Sequence, residues 1–288
     1  MPGEDTLVSV IVPVFRHWDL VPALLEALAA QTPGAGPFEI LLVDNDAGAP
    51  PPAIALPANA RLLACAAPGS YAARNAGATE ARGAWLVFTD ADCRPAPGWL
   101  AAFRPEMAAT PAALLAGPVR MTAPAHPSAA AIHDLVRGIP QGTYVARGYA
   151  ATANLALPAA VFRTLGGFDA ARFSGGDADF CRRAGAAGHG IRLVEGACVA
   201  HPARADWAAI AAKARRVKGG QVASGSRARR LAWGLRTLVP PLRESLAYLA
   251  RPHPWRHRLV AVVIRFRLWG VELAETARLL AGGRPERR

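Results

Sequence analysis

GSYAARNAGATEARGAWLVFTDADC occupies residues 69–93. Its spacing predicts a helix over Ser70–Arg82 and then a strand over Ala84–Thr89, apolar on both faces, that runs into Asp90-Ala91-Asp92. The matching elements lie upstream. VSVIVPVF at Val8–Phe15 is a continuous β-branched run, the pattern of a strand covered on both sides. Leu20, Leu24, Leu25 and Leu28 place a helix over Trp18–Gln31, which PGAGP at 33–37 breaks. FEILLV at Phe38–Val43 is a second buried strand ending in Asp44-Asn45-Asp46, and Arg61–Cys65 is a short third one. Strands alternating with helices in this way predict a parallel α/β sheet.

Downstream the pattern is less regular. Ala113–Met121 reads as a strand, Ala151–Leu157 as extended, Pro158–Leu165 as a short helix before GGFD, and Asp177–Ala187 as a helix. Ile191–Val194 and Cys198–Ala200 are short strands, and beyond His201 the chain is helical and basic. No repeat is present.

The 288 residues suffice for a sizeable core, and 52% apolar with 19% charged residues excludes disordered and collagen-like classes. The net charge of +12 is unevenly placed. Residues 1–200 hold 14 Arg against 16 Asp and Glu; residues 201–288 hold 19 Lys and Arg against five. Cys65, Cys93, Cys181 and Cys198 have neither zinc-ligand spacing nor a disulfide framework. The acidic start MPGEDTLVSV lacks a signal peptide's charged and apolar regions. No stretch reaches the ~18 apolar residues of a membrane span. A cytoplasmic protein, peripheral at most on the inner face of the membrane, is the expectation.

In open α/β sheets ligands bind beyond the carboxyl ends of the strands. Asp44/Asp46 and Asp90/Asp92 both stand there, and residues i and i+2 at a strand end can turn toward one hard cation such as Mg2+ or Mn2+. An acidic turn without a ligand is the alternative. Neither a GxGxxG after the first strand nor a GxxxxGK[ST] occurs, which argues against dinucleotide dehydrogenases and P-loop NTPases.

The ordered set VSVIVPVF, FEILLVDN, GSYAARNAG with TDADC, and GGFD with SGGDADFCRR resembles the family 2 glycosyltransferases of GT-A fold, over about residues 7–201. The resemblance implies a mostly parallel, helix-flanked α/β sheet, placed here in residues 1–220, with 221–288 a basic helical extension. It implies an inverting, metal-dependent transfer from a nucleotide-diphosphate sugar, UDP-linked in this reading. Pro13 and Val14 would pack against the base, Asp44 would read base or ribose, and Arg74 would lie near the nucleotide. Asp90 would contact ribose or metal, and Asp92, with His201, would hold the cation. Asp177 would be the base that deprotonates the acceptor hydroxyl. Asp179 competes for that role, and Asp177 as a plain helix cap is a further reading. Arg74 as a helix-surface charge and His201 as a structural histidine also stay open. Trp99 and Asn154 would face one of the sugars. Two departures stand out: many relatives read Asp-Asp-Gly-Ser where this chain has Asp44-Asn45-Asp46-Ala47, and Glu where it has Gly176.

Trp207–Val217 reads as a helix, and the resemblance implies that Arg215, Arg216 or the following Lys218 clamps the leaving group, a solvated basic face being the other reading. Residues 226–288 add two helical stretches divided by RPHPWRHR. In the last, Leu259, Val262, Val263, Phe266, Leu273 and Leu280 share a face that would either lie on an anionic membrane or pack onto protein. The expected partners are the nucleotide-sugar donor and a glycan or lipid-linked acceptor, with no nucleic acid. A non-catalytic sugar-nucleotide-binding relative and a sugar nucleotidyltransferase are the rival functions.

Overall fold

The structure, a computed structural model, describes residues 6–223 and 225–286, so the first half of the acidic MPGEDTLVSV start lies outside it. The chain forms two compact units. The first runs to Arg120 and adds Ile139–Ala170 and Gly176–His201; the second comprises Met121–Gly138, Ala171–Gly175 and the chain from Pro202.

The first unit is built on strands β1 (Val8–Val14), β2 (Phe38–Asp44), β3 (Ala60–Ala64), β4 (Trp85–Thr89), β6 (Leu114–Ala116), β8 (Asn154–Pro158) and β9 (Ile191–Leu193). They form one sheet in the order β3-β2-β1-β4-β8-β6-β9. Strands β1 to β4 pair in parallel, as expected from their two-sided apolar runs. The sheet is mostly parallel, as the resemblance implies; β6 pairs with β9 in parallel too, and β8 alone runs against its neighbours, antiparallel to both β4 and β6. Short strands β5 (Arg94–Pro95), β7 (Val119–Thr122) and β10 (Val199–Pro202) make a second sheet in the order β5-β10-β7.

Helices α1 (Val21–Ala29), α2 (Ser70–Glu80), α3 (Trp99–Ala109), α5 (Gln141–Val145), α6 (Ala159–Thr164) and α7 (Gly176–Ala186) belong to this unit. Helix α1 starts later than its leucine spacing suggests, because Pro22 suits a first turn and a 3-10 turn precedes it. Helix α2 lies close on the sheet: a Cβ at Gly77 would meet Ile11 Cγ2 at 2.6 Å and Val43 Cγ2 at 3.0 Å. The single strand expected over Ala113–Met121 is two strands in different sheets. The break is Gly117-Pro118, where a Cβ on Gly117 would stand 1.9 Å from the Ala197 carbonyl oxygen.

The second unit holds α4 (Ala129–Arg137), α8 (Trp207–Val222), α9 (Arg227–Thr237), α10 (Leu242–Leu249) and α11 (Trp255–Leu280). Ser128 caps α4, accepting from Ala131 N at 3.1 Å. Ile264 and Leu268 of α11 are buried with Ala130 and Ile210, and Ala261 with Val136 and Tyr248. The packed face of α11 is thus not the expected one, of which Leu259, Val263 and Leu280 are exposed. The two helical stretches expected over 226–288 are three helices, since Pro240-Pro241 ends one and starts the next. Among the described residues, no helix is long and apolar enough to cross a membrane.

Candidate active site

Strand β1 pairs with β4 only from Val8 to Ile11, while its pairing with β2 continues to Val14↔Asp44. Pro13, which lacks an N–H, stands in this unpaired stretch, half-buried, and Val14 is buried. The sheet thus opens at the carboxyl ends of β1, β2 and β4, where ligands bind in open α/β folds.

Asp90, Asp92, Cys93 and His201 each offer a ligand atom there, and these atoms all lie within 4.8 Å of one another. Asp92 and Asp90 follow β4, and β10, paired antiparallel with β5, brings in His201. His201 Nε2 is 3.5 Å from Asp92 Oδ2, and the imidazole is buried. Cys93 fits the set least. A sulfur donor suits softer metals than do the carboxylates beside it, and Cys93 Sγ lies 3.8 Å from the Ala153 carbonyl. Two carboxylates and an imidazole are a donor set for a divalent cation such as Mg2+ or Mn2+.

Helix α2 supplies the next layer. Arg74 is buried and bonds Asp90 Oδ1, so it is no surface charge. Its Nε has no partner among the described residues although it is buried. Asn75, the next residue, donates Nδ2–H to the Phe168 carbonyl at 2.8 Å and accepts from Phe168 N at 2.9 Å. The ARN and GGFD motifs are therefore two sides of one joint. Arg183 closes it from α7, donating to the carbonyls of Leu165 and Gly167, each at 2.6 Å.

Asp177 and Asp179 both begin α7. Asp179 pairs with that same Arg183 at 3.1 Å, which gives it a structural task. Asp177 Oδ1 accepts from Ala178 N at 2.9 Å and lies 3.4 Å from the Tyr71 hydroxyl. Burial raises its carboxyl above the ordinary 3.8, against the opposing pull of the Ala178 N–H and the Arg74 guanidinium. The helix N-terminus alone would lower it; burial wins. Tyr71 escapes sequence reading because its partner stands 106 residues away.

Asp44 is buried at the end of β2 and accepts from Asp46 N at 3.1 Å. Asn45, one of the departures, ties this loop to the start of α2. It donates to the carbonyls of Cys65 and Ala67 at 2.9 and 2.7 Å and accepts from Gly69 N at 3.0 Å. A carboxylate there could not donate twice. Trp99 and Asn154 correct an expectation. Both are fully buried, Trp99 Nε1 bonds Asn154 Oδ1 at 2.9 Å, and Asn154 Nδ2 bonds the Pro118 and Ala197 carbonyls. They hold the scaffold and face no sugar. In the second unit, Arg215 bonds Glu286 at 3.1 Å and Lys218 bonds Thr237 Oγ1 at 3.0 Å.

Residues 9–129 match the sequence pattern described as "Glycosyl transferase family 2", and residues 85–280 that described as "Glycosyl transferase family group 2". The chain is 32% identical over 229 residues to glycosyltransferase AglE of Haloferax volcanii, covering 77% of this chain and 75% of that protein. Its fold is similar to that of the mannosyltransferase PcManGT from Pyrobaculum calidifontis, solved with GDP-Man and Mn2+. The TM-score is 0.54 at 17% identity, over 98% of this chain and 80% of that one. Sequence pattern, kinship and a metal-ligand cluster at the strand ends agree, and the chain belongs to glycosyl transferase family 2, a GT-A-like glycosyltransferase.

Proposed function

We propose that the protein transfers a sugar with inversion from a nucleoside diphosphate sugar to the hydroxyl of a glycan or lipid-linked acceptor. The observation behind this reading is the convergence of Asp90, Asp92 and His201 where the sheet opens, with Arg74 beside them. Asp92 and His201 are the residues that would hold the cation, Asp90 serving the cation or the ribose. A bound divalent ion supplies Lewis-acid stabilisation to the departing diphosphate. Arg74, held against Asp90, adds positive charge beside the strand ends where the diphosphate would lie. Pro13, Val14 and Asp44, at the ends of β1 and β2, would line the base and ribose.

Asp177 is the base in this reading. A carboxyl raised by burial takes the hydroxyl proton more readily than one at 3.8. As that proton moves to Asp177, the acceptor oxygen attacks the anomeric carbon and the nucleoside diphosphate leaves from the opposite face.

Thermal-shift titration with UDP, GDP and their sugars, with and without Mn2+, tests the donor site. The sequence reading favours uridine, whereas the structural neighbour was solved with GDP-Man and Mn2+, so both nucleotides are compared. Metal-dependent stabilisation by one of them, lost in Asp92→Ala, is expected. Asp177→Asn should keep that stabilisation and lose turnover by about 10²–10⁴-fold. No response to either nucleotide would overturn the donor site, and full turnover in Asp177→Asn would remove the base.

A further inference from the structure

A cavity of about 720 Å³ lies within the second unit, lined by residues of α4, α8, α9, α10 and α11. That volume is typical of a small-molecule site. Arg137, Lys213, Lys218, Arg236, Arg243 and Arg265 line it against the carboxylates Asp134, Glu244 and Glu272. The acids are already engaged. Asp134 accepts from Arg204 at 3.1 Å, and both glutamates pair with Arg265, Glu272 also lying 3.8 Å from Lys218.

What remains in the lining is positive and short of acceptors. Lys213 makes no salt bridge among the described residues. Burial, with Arg137 and Arg204 nearby, holds its pKa well below 10.5 against the opposing charge of Asp134. His133 is 2% exposed, and neither ring nitrogen has a hydrogen-bond partner among the described residues. Burial keeps this imidazole neutral, with a pKa of about 4, yet it still has one N–H to donate. Arg265 Nη1 is likewise buried without an acceptor. Buried donors without acceptors are costly, and an oxygen-rich anion supplies what they lack.

The rim says what such an anion is attached to. Leu231, Leu235 and Leu238 follow one side of α9, and Leu242 and Leu246 continue on α10; all five are 58–67% exposed. Val239 and Leu242 belong both to this strip and to the cavity lining. Short helices with a bare leucine face between arginines lie in a membrane interface with that face buried. A soluble anion has no use for the leucines, and an apolar protein partner has none for the cations. We propose that the cavity binds the phosphate headgroup of an anionic lipid, with α9 and α10 resting in the membrane interface on their leucine face.

The inference is independent of the donor and of Asp177. Flotation of the full chain with vesicles of phosphatidylcholine, alone or mixed with phosphatidylglycerol, tests it. Wild type should float with the mixed vesicles and hardly with the neutral ones. Lys213→Gln should weaken that partition about fivefold, the effect of one cation near an anionic surface. The double variant Leu235→Asp/Leu246→Asp should abolish it, and Asp92→Ala should float like wild type. Lys213→Gln also removes a positive charge that faces Asp134, so its thermal midpoint is read beside the partition. Should it fail to fold, the exposed Arg243→Gln replaces it. Equal binding to neutral vesicles, no effect of the cavity variants, or no flotation at all would overturn the proposal. So would a Lys213-dependent stabilisation by inorganic phosphate without flotation, which would make the cavity a soluble-anion site.

Discussion

A Cβ built on Gly176 would come within 2.7 Å of the Tyr71 ring. The Tyr71 ring fills the space that a side chain at position 176 would take and brings its hydroxyl to 3.4 Å from Asp177. Burial and the Asp177 charge push the phenol far up, so it stays protonated and able to donate. Gly176→Ala forces the ring aside and should cost about 1–3 kcal/mol of stability together with most of the turnover. Tyr71→Phe keeps the packing and removes only the hydroxyl. Its thermal midpoint should hold while kcat falls about two- to tenfold. Equal losses of midpoint in both variants would make Tyr71 a packing residue alone. Asp90 and Asp92 were readable because two carboxylates stand at a strand end, whereas Arg74 stood out only through the resemblance that its ARN motif carries. Tyr71 and Asn45 were not readable, since each acts on atoms that only folding brings near.

Among the strands, Glu39 shows how neighbours are locked in register. It accepts from Ser9 Oγ on β1 at 2.7 Å, from Arg61 on β3 at 2.8 Å and from Arg82 N before β4 at 2.6 Å. Burial raises its carboxyl, but the Arg82 N–H, Ser9 and Arg61 outweigh burial and hold it below the ordinary 4.5. The carboxylate's stabilisation is therefore complete above 4.5 and is lost as the pH falls through the lower folded value. Glu39→Gln should cost about 2 kcal/mol at neutral pH and flatten the acid limb of a stability-against-pH curve. An unchanged acid limb would contradict this. Strands β1, β2 and β4 were legible because burial on both faces demands unbroken apolar runs. The break between α9 and α10 was hidden because leucines continue across it, at Leu235, Leu238, Leu242 and Leu246. Pro240-Pro241 was the local sign.

The direction of β8 was beyond the sequence, since an apolar run reads alike from either end. Its place in the sheet, between β4 and β6, was equally out of reach. The two-unit division, with Met121–Gly138 joining the later helices, rests on long-range contacts that periodicity cannot express. The uneven charge, by contrast, was plain from composition, and it gathers in the unit that holds the cationic cavity. The sheet order also sets a timetable for biosynthesis. Strand β6 leaves the ribosome before β8, yet its sheet partners are β8 and β9. A nascent chain that ends short of Asn154 can complete only β3-β2-β1-β4, and the outer edge of β4 stays open until β8 arrives. Proteolysis of chains stalled at increasing lengths should show protection of β1 to β4 rising sharply once Pro158 has emerged, and protection already complete before Asn154 would contradict that order.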